Sequence, residues 1–206
     1  MENSESPEPV SKPKVSILIR VILGVCGVVV MAGGIRQMAD GLGIGSGMSR
    51  EVKQLLAESD AALEEANRLG QEASPIFQDL LNKIDSDGLD VVRSQMKESA
   101  QKSGSLMGQA ATSFQAAAKK LDEAVALKPD KSIIEYLMLK SQSYGKFAGA
   151  RSLNEEIARM VMDGSIPTIN DLTPKVLDAA RRRDEMEAAA VEIAANAEVI
   201  AAKKKG

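Results

Sequence analysis

A chain of 206 residues with 44% hydrophobic and 27% charged residues has room for one modest folded domain plus an anchor, and this balance excludes global disorder. Aromatic residues make up only 2%, so the sheet-based cores that draw their volume from aromatic and β-branched side chains are excluded in favour of helices packed through Ala, Leu and Met. A net charge of −3 spread over both signs argues against nucleic-acid binding, and the lack of any His beside a single Cys removes the commonest general base and the usual zinc ligands.

Residues 1–14 (MENSESPEPVSKPK) are rich in proline, acidic and hydroxyl residues and are predicted to form a disordered cytoplasmic tail. From Val15 to Ile35 the chain is apolar apart from Ser16 and Arg20. At helical rise this run spans about 31 Å, the hydrocarbon thickness of a bilayer, and Arg20 sits near enough to its start to snorkel. The predicted transmembrane helix is 15–38, with membrane lipid as its partner. Lys12, Lys14 and Arg20 cluster before the apolar core, and Arg36 stands alone after it until Arg50. The positive-inside bias then places the N-terminus in the cytoplasm and the body on the extracytoplasmic side.

The same run also fits a cleaved signal peptide. Lys12, Lys14 and Arg20 would form its basic region and Val21 to Met31 its apolar region, with Val30 and Ala32 at the small-residue positions before cleavage at Gly33. A lipid-modified Cys26 would need a small residue before it, where Val25 stands.

Residues 39–48 contain DGLGIGSG, with Gly at 41, 43, 45 and 47, and are predicted to be a flexible hinge. The body, 49–206, is predicted to be all-α: a bundle or hairpins of about four long helices, partly coiled-coil-like. Ser49 is positioned to cap the first helix. Its seam runs Val52, Leu56, Ser59, Leu63, Ala66, Gly70, Ala73, Phe77, Leu80 and Ile84 in alternating steps of four and three. Ser74-Pro75 is expected to kink or restart this helix, and Asp85-Ser86-Asp87-Gly88 to end it.

A second seam follows through Ser103, Met107, Ala110, Phe114, Ala117, Leu121 and Ala124, closed by Pro129. A third helix is expected over Lys131 to Asp163, with Ile134, Leu137, Tyr144, Ala148, Leu153, Ile157 and Met160 inward and Gly164 as its stop. The fourth is expected to open with Thr173 as cap and Pro174 at its first position. Its seam is Ala179, Met186, Ala190, Ile193, Ala197 and Ile200. Such Ala-rich seams favour close contact and leave little volume for a ligand. Lys203 to Lys205 complement the negative end of the last helix.

The motifs that could carry chemistry have plainer readings. DSDGLD at 85–90 resembles part of a calcium loop, but the EF-hand register puts Lys83 at the first ligand position and Ser94 at the twelfth, so a turn is expected. Ser94–Lys97, Ser99–Lys102 and Ser143–Lys146 have the Ser-x-x-Lys spacing of serine acyltransferases without their partner motifs. Arg181, Arg182 and Arg183 precede Asp184, Glu185 and Glu187 and are expected to form a solvated, self-paired face.

Ala117, Leu121, Ala124 and Pro129 fall at the spacing of the second helix of a tetratricopeptide repeat and resemble it over about a dozen residues. Gly104 and Ser105 stand where that family's first helix has Leu and Gly, and Tyr136 and Tyr144 fall out of register, which leaves a generic helical hairpin.

No catalytic, cofactor-binding or metal-binding residue is assigned. The expected function is a single-pass membrane-anchored tether, adaptor or oligomerising scaffold that meets a protein partner or itself through its helical seams. The alternative is an exported, soluble, chaperone-like binding protein with a degenerate tetratricopeptide-like hairpin.

Overall fold

The structure is a computed structural model and describes residues 48–203. The predicted tail, the predicted transmembrane helix 15–38, the predicted hinge up to 47 and residues 204–206 lie outside the described residues. Among the described residues five helices follow one another: α1 (Arg50–Asp87), α2 (Leu89–Gln95), α3 (Lys97–Ala126), α4 (Lys131–Met162) and α5 (Ile169–Lys203). Among the described residues no helix is long and apolar enough to cross a membrane.

The ends of these helices follow from side-chain chemistry. Ser49 Oγ accepts the Val52 N–H at 3.2 Å, one of the donors that an α-helix leaves unsatisfied at its start. α1 then runs unbroken through Pro75, so the expected restart at Ser74 does not occur. Pro75 and Gln71, whose carbonyl loses its helical donor there, are both exposed, and water can serve that carbonyl. Gly88 ends α1 at φ 88°, a backbone state that a Cβ would strain, and its N–H donates to the Ile84 carbonyl.

α2, too short for a periodic pattern, was not expected. It brings Arg93 to the end of α4, where Nε donates to the Val161 carbonyl at 2.9 Å and Nη2 to the Asp163 carbonyl at 2.6 Å. These bonds satisfy acceptors that the helix end leaves open. α5 begins a turn before its expected start. Thr168 Oγ1 accepts the Asp171 N–H at 3.2 Å, whereas Thr173 Oγ1 donates to the Ile169 carbonyl inside the helix and Pro174 follows within it.

The long helices run antiparallel and pack in chain order: α1 on α3, α3 on α4, α4 on α5. Among the described residues α1 and α5 share no comparable interface, so the four form an open stack rather than a closed ring. Serine hydroxyls mark each line of contact. Ser59 donates to the Ala117 carbonyl at 3.0 Å, Ser141 to Ala118 at 3.2 Å and Ser143 to Ala190 at 2.9 Å. Ser103 lies 3.5 Å from the Ala73 carbonyl, which keeps the α1–α3 register antiparallel along its length. A side chain this short reaches a neighbouring backbone only where the helices nearly touch.

Every α1 seam residue is buried except Gly70, which is half-buried, and every α3 seam residue is buried. The core has two parts. One, toward the α1 N-terminus, gathers Val52, Phe114, Leu121, Tyr144, Phe147 and Ala197, with Phe114 and Phe147 stacked at 5.5 Å between ring centroids. The other, toward the α1 C-terminus, gathers Phe77, Leu80, Val92, Ile157 and Leu172. All five aromatic side chains are buried. Phe77 is fully buried among aliphatic residues, so Phe77→Ala is expected to cost about 3–5 kcal/mol, lost transfer energy plus a cavity, as a lowered midpoint in urea unfolding.

Candidate functional site

α4 lies between α3 and α5 and buries residues on both sides. Its polar members Lys140, Ser141, Ser143 and Asn154 are all buried. On the α5 side, Lys140 Nζ pairs with Glu198 Oε1 at 2.5 Å and sits 5.6 Å from the centre of the Tyr136 ring. Further along, Gly149 makes room for Met186: a Cβ there would lie 2.6 Å from the Met186 sulfur.

Beyond Gly149 is the most polar part of the interior. Arg151 Nη1 lies 2.9 Å from Glu187 Oε1, and the two side chains are 15% and 8% exposed. Arg151 also passes over α1, where a Cβ on Gly70 would lie 3.8 Å from its Nε. Arg183 is 1% exposed. Its Nε and Nη2 donate to Asp184 Oδ1 at 2.9 and 2.6 Å, and its Nη1 to Asn154 Oδ1 at 3.4 Å.

Arg183 therefore departs from the expected solvated face, because its position on α5 points toward α4. Arg181 and Arg182 do lie outside, paired with Asp178 and, for Arg181, Glu185. Burial pushes the Glu187 carboxyl above the usual carboxylate range, opposed by the Arg151 and Arg183 charges. Among the described residues every buried side-chain nitrogen or oxygen has a hydrogen-bond partner. The cluster is charge-compensated and closed, an arrangement suited to fixing the register of α1, α4 and α5.

A second feature is open. Ala100, Gly104 and Ala158 leave the facing surfaces of α3 and α4 low, and a groove of about 720 Å³ runs above them. Gln101, Ser105, Glu155 and Arg159 form its polar edge, and Met160 and Met162 its apolar end. The α3 and α4 backbones are close here, with a Cβ on Gly104 falling 3.5 Å from that of Ala158. Small residues thus produce close contact and, beside it, a groove that the Ala-rich pattern was not expected to leave.

Members of the remaining motifs are bound to other partners or exposed. Ser143 is fully buried with its proton committed to Ala190, and Lys146 is exposed; Lys102 pairs with Glu72 on α1; Ser94 donates to the Val91 carbonyl. DSDGLD forms the junction of α1 and α2. Ala117, Leu121 and Ala124 line α3 against its neighbours, and Pro129 lies in the turn before α4. Among the described residues no three His, Cys, Asp or Glu side chains stand close enough to share a metal ion.

The fold defines the chain as an open stack of antiparallel helices packed in sequence order. No family profile matches the chain, and no curated protein or solved structure is significantly similar to it.

Two measurements follow from the buried polar groups. Glu187→Leu is expected to lose about 3 kcal/mol in urea unfolding by leaving Arg151 uncompensated, while Arg151→Met with Glu187→Leu regains most of that loss; additive losses would contradict the coupling. The only two tyrosines, Tyr136 and Tyr144, are buried, and burial raises both phenol pKa values in the folded state. Their contribution to stability is complete below the unfolded value of about 10 and is lost as pH rises above it. Phenolate absorbance in alkali is therefore expected to appear together with loss of helical circular dichroism, and ionisation of the folded chain near pH ~10 would refute it.

Proposed function

We propose that this chain is a single-pass membrane-anchored helical protein that acts as a tether, adaptor or oligomerising scaffold and not as a catalyst. The observation that carries the reading is the run from Val15 to Ile35, apolar apart from Ser16 and Arg20 and long enough for a bilayer, joined by a short glycine-rich segment to a helical body. The body's construction supports it. Its ionic cluster is consumed internally, and its outer helices keep faces that pack against no neighbour of their own. Leu177, Val191 and Val199 on α5 and Met138 on α4 are exposed apolar side chains of the kind that helix-to-helix association would cover.

A second reading, an exported soluble binding protein, draws support from the α3–α4 groove with its two methionines, since Met adapts to varied apolar partners. It requires a mature chain starting near Gly33.

Cell fractionation separates the two. The anchored chain is expected at full mass in the membrane fraction after washes in high salt and alkaline carbonate, released only by detergent. Recovery in the carbonate-soluble fraction, or a mass beginning at Gly33, overturns the anchor.

A further inference from the structure

The antiparallel stack brings the α1 N-terminus, the α3–α4 turn and the α5 C-terminus to one end. Val52, Ala124, Ile133 and Ala201 share one buried cluster there, so the four helix ends meet in a single surface. That surface is basic. Arg50 and Lys53 on the first turn of α1, Lys128 and Lys131 around the turn, and Lys203 at the end of α5 are all exposed. Among the described residues none of these five makes an ion pair. Glu51, Glu123 and Asp130 are the carboxylates in the same terminal turns, Glu123 already paired with Lys119 and Lys120, and Lys204 and Lys205 follow in the sequence.

The tip of the α3–α4 turn holds Leu127, 45% exposed, next to Lys128 at φ 52°. The far end has the opposite sign. Asp87, Asp90, Glu98, Asp163 and Asp171 outnumber Arg93, Lys97 and Arg159 there, and the Arg93 guanidinium is taken up by carbonyls.

We propose that this basic end is a docking surface for anionic lipid headgroups, with Leu127 entering the interface between the lysines. The inference rests on the anchor proposed above, because the chain reaches the surface from residue 47, directly before Met48. About ten residues separate 38 from 48, so the tether reaches at most roughly 35 Å, while α1 holds the acidic end about 57 Å further along its axis. Of the two ends, the anchor confines the cationic one beside the bilayer, where each lysine or arginine within a Debye length adds to the attraction. An apolar tip among basic residues suits an interface of charged headgroups over acyl chains.

The test uses the full chain carrying Cys26→Ser and Leu127→Cys, labelled with a polarity-sensitive dye and reconstituted into vesicles. One set is phosphatidylcholine alone, and the other contains about one-third phosphatidylglycerol. Blue-shifted emission protected from an aqueous quencher is expected only in the anionic vesicles at low salt, and is expected to vanish at high salt. Lys128→Gln and Lys131→Gln should each lower the ratio of docked to undocked chain roughly fivefold. A dye at Asp90→Cys, on the far end, should show no shift. Equal emission in both vesicle types, or an equal shift at Asp90→Cys, overturns the proposal. Flotation after carbonate treatment scores the anchor separately: a chain that floats with neutral vesicles but shows no anionic shift keeps the anchor and loses the docking surface. Salt-sensitive binding to anionic vesicles alone does the reverse.

Discussion

Close approach of helix backbones is the constraint from which the rest of this structure follows. Ala66, Ala73, Ala110, Ala117, Ala148, Ala190 and Ala197 occupy the lines where helices meet, and none exposes more than a trace of surface. Small side chains bury little area apiece, so apolar transfer alone gives a modest return per residue. What they permit is contact along whole helices and a reach short enough for Ser59, Ser141 and Ser143 to bond a neighbour's carbonyl. The few large side chains, Phe77 in one core region and Phe114, Tyr144 and Phe147 in the other, then fill the volume between these lines.

Polar groups inside such a stack must be matched, because an unpaired charge there would cost several kcal/mol. Arg183 and Arg151 are balanced by Asp184 and Glu187, and Asn154 accepts from Arg183. A shift of α5 along α4 by one turn would separate Glu187 from Arg151 and Arg183 from Asn154 while leaving alanine against alanine. The apolar contacts are nearly degenerate under such a slide, and the ionic cluster removes that degeneracy. Similar logic applies at the other end of the same interface, where Lys140 meets Glu198.

Much of this architecture was legible in the sequence. The α1 and α3 seams could be read residue by residue because the stripe along which these two helices meet keeps a regular heptad spacing. α4 resisted the same reading. It is packed by α3 on one side and α5 on the other, so Ile133, Tyr136, Phe147, Ala150, Ala158 and Val161 are buried in addition to one stripe, while the chosen Ile134 and Met160 are only half-buried. The buried Arg183 was hidden by its neighbours, since three consecutive arginines before acidic residues look alike in a linear pattern and only the angle around α5 separates the third. α2 escaped because seven residues are too few to show a period, and Pro174 misled because Thr168 supplies a cap a turn earlier. The groove was invisible for a related reason: whether a run of small residues closes on a neighbour or lies open depends on the partner's surface.

The ordering of contacts also bears on how the chain reaches its native state. Each long helix pairs with the long helix that precedes it, so each interface closes a loop of moderate length and none waits for the two extremes of the body to find each other. Such locality lowers the entropy to be surrendered before stabilising contacts form, and places the protein among topologies that fold quickly. During synthesis, α1 and α3 can form a hairpin as soon as both have emerged, α4 can add to the exposed flank of α3, and α5 completes the structure last. Assembly by successive addition leaves one apolar flank open at each step for the next helix to cover.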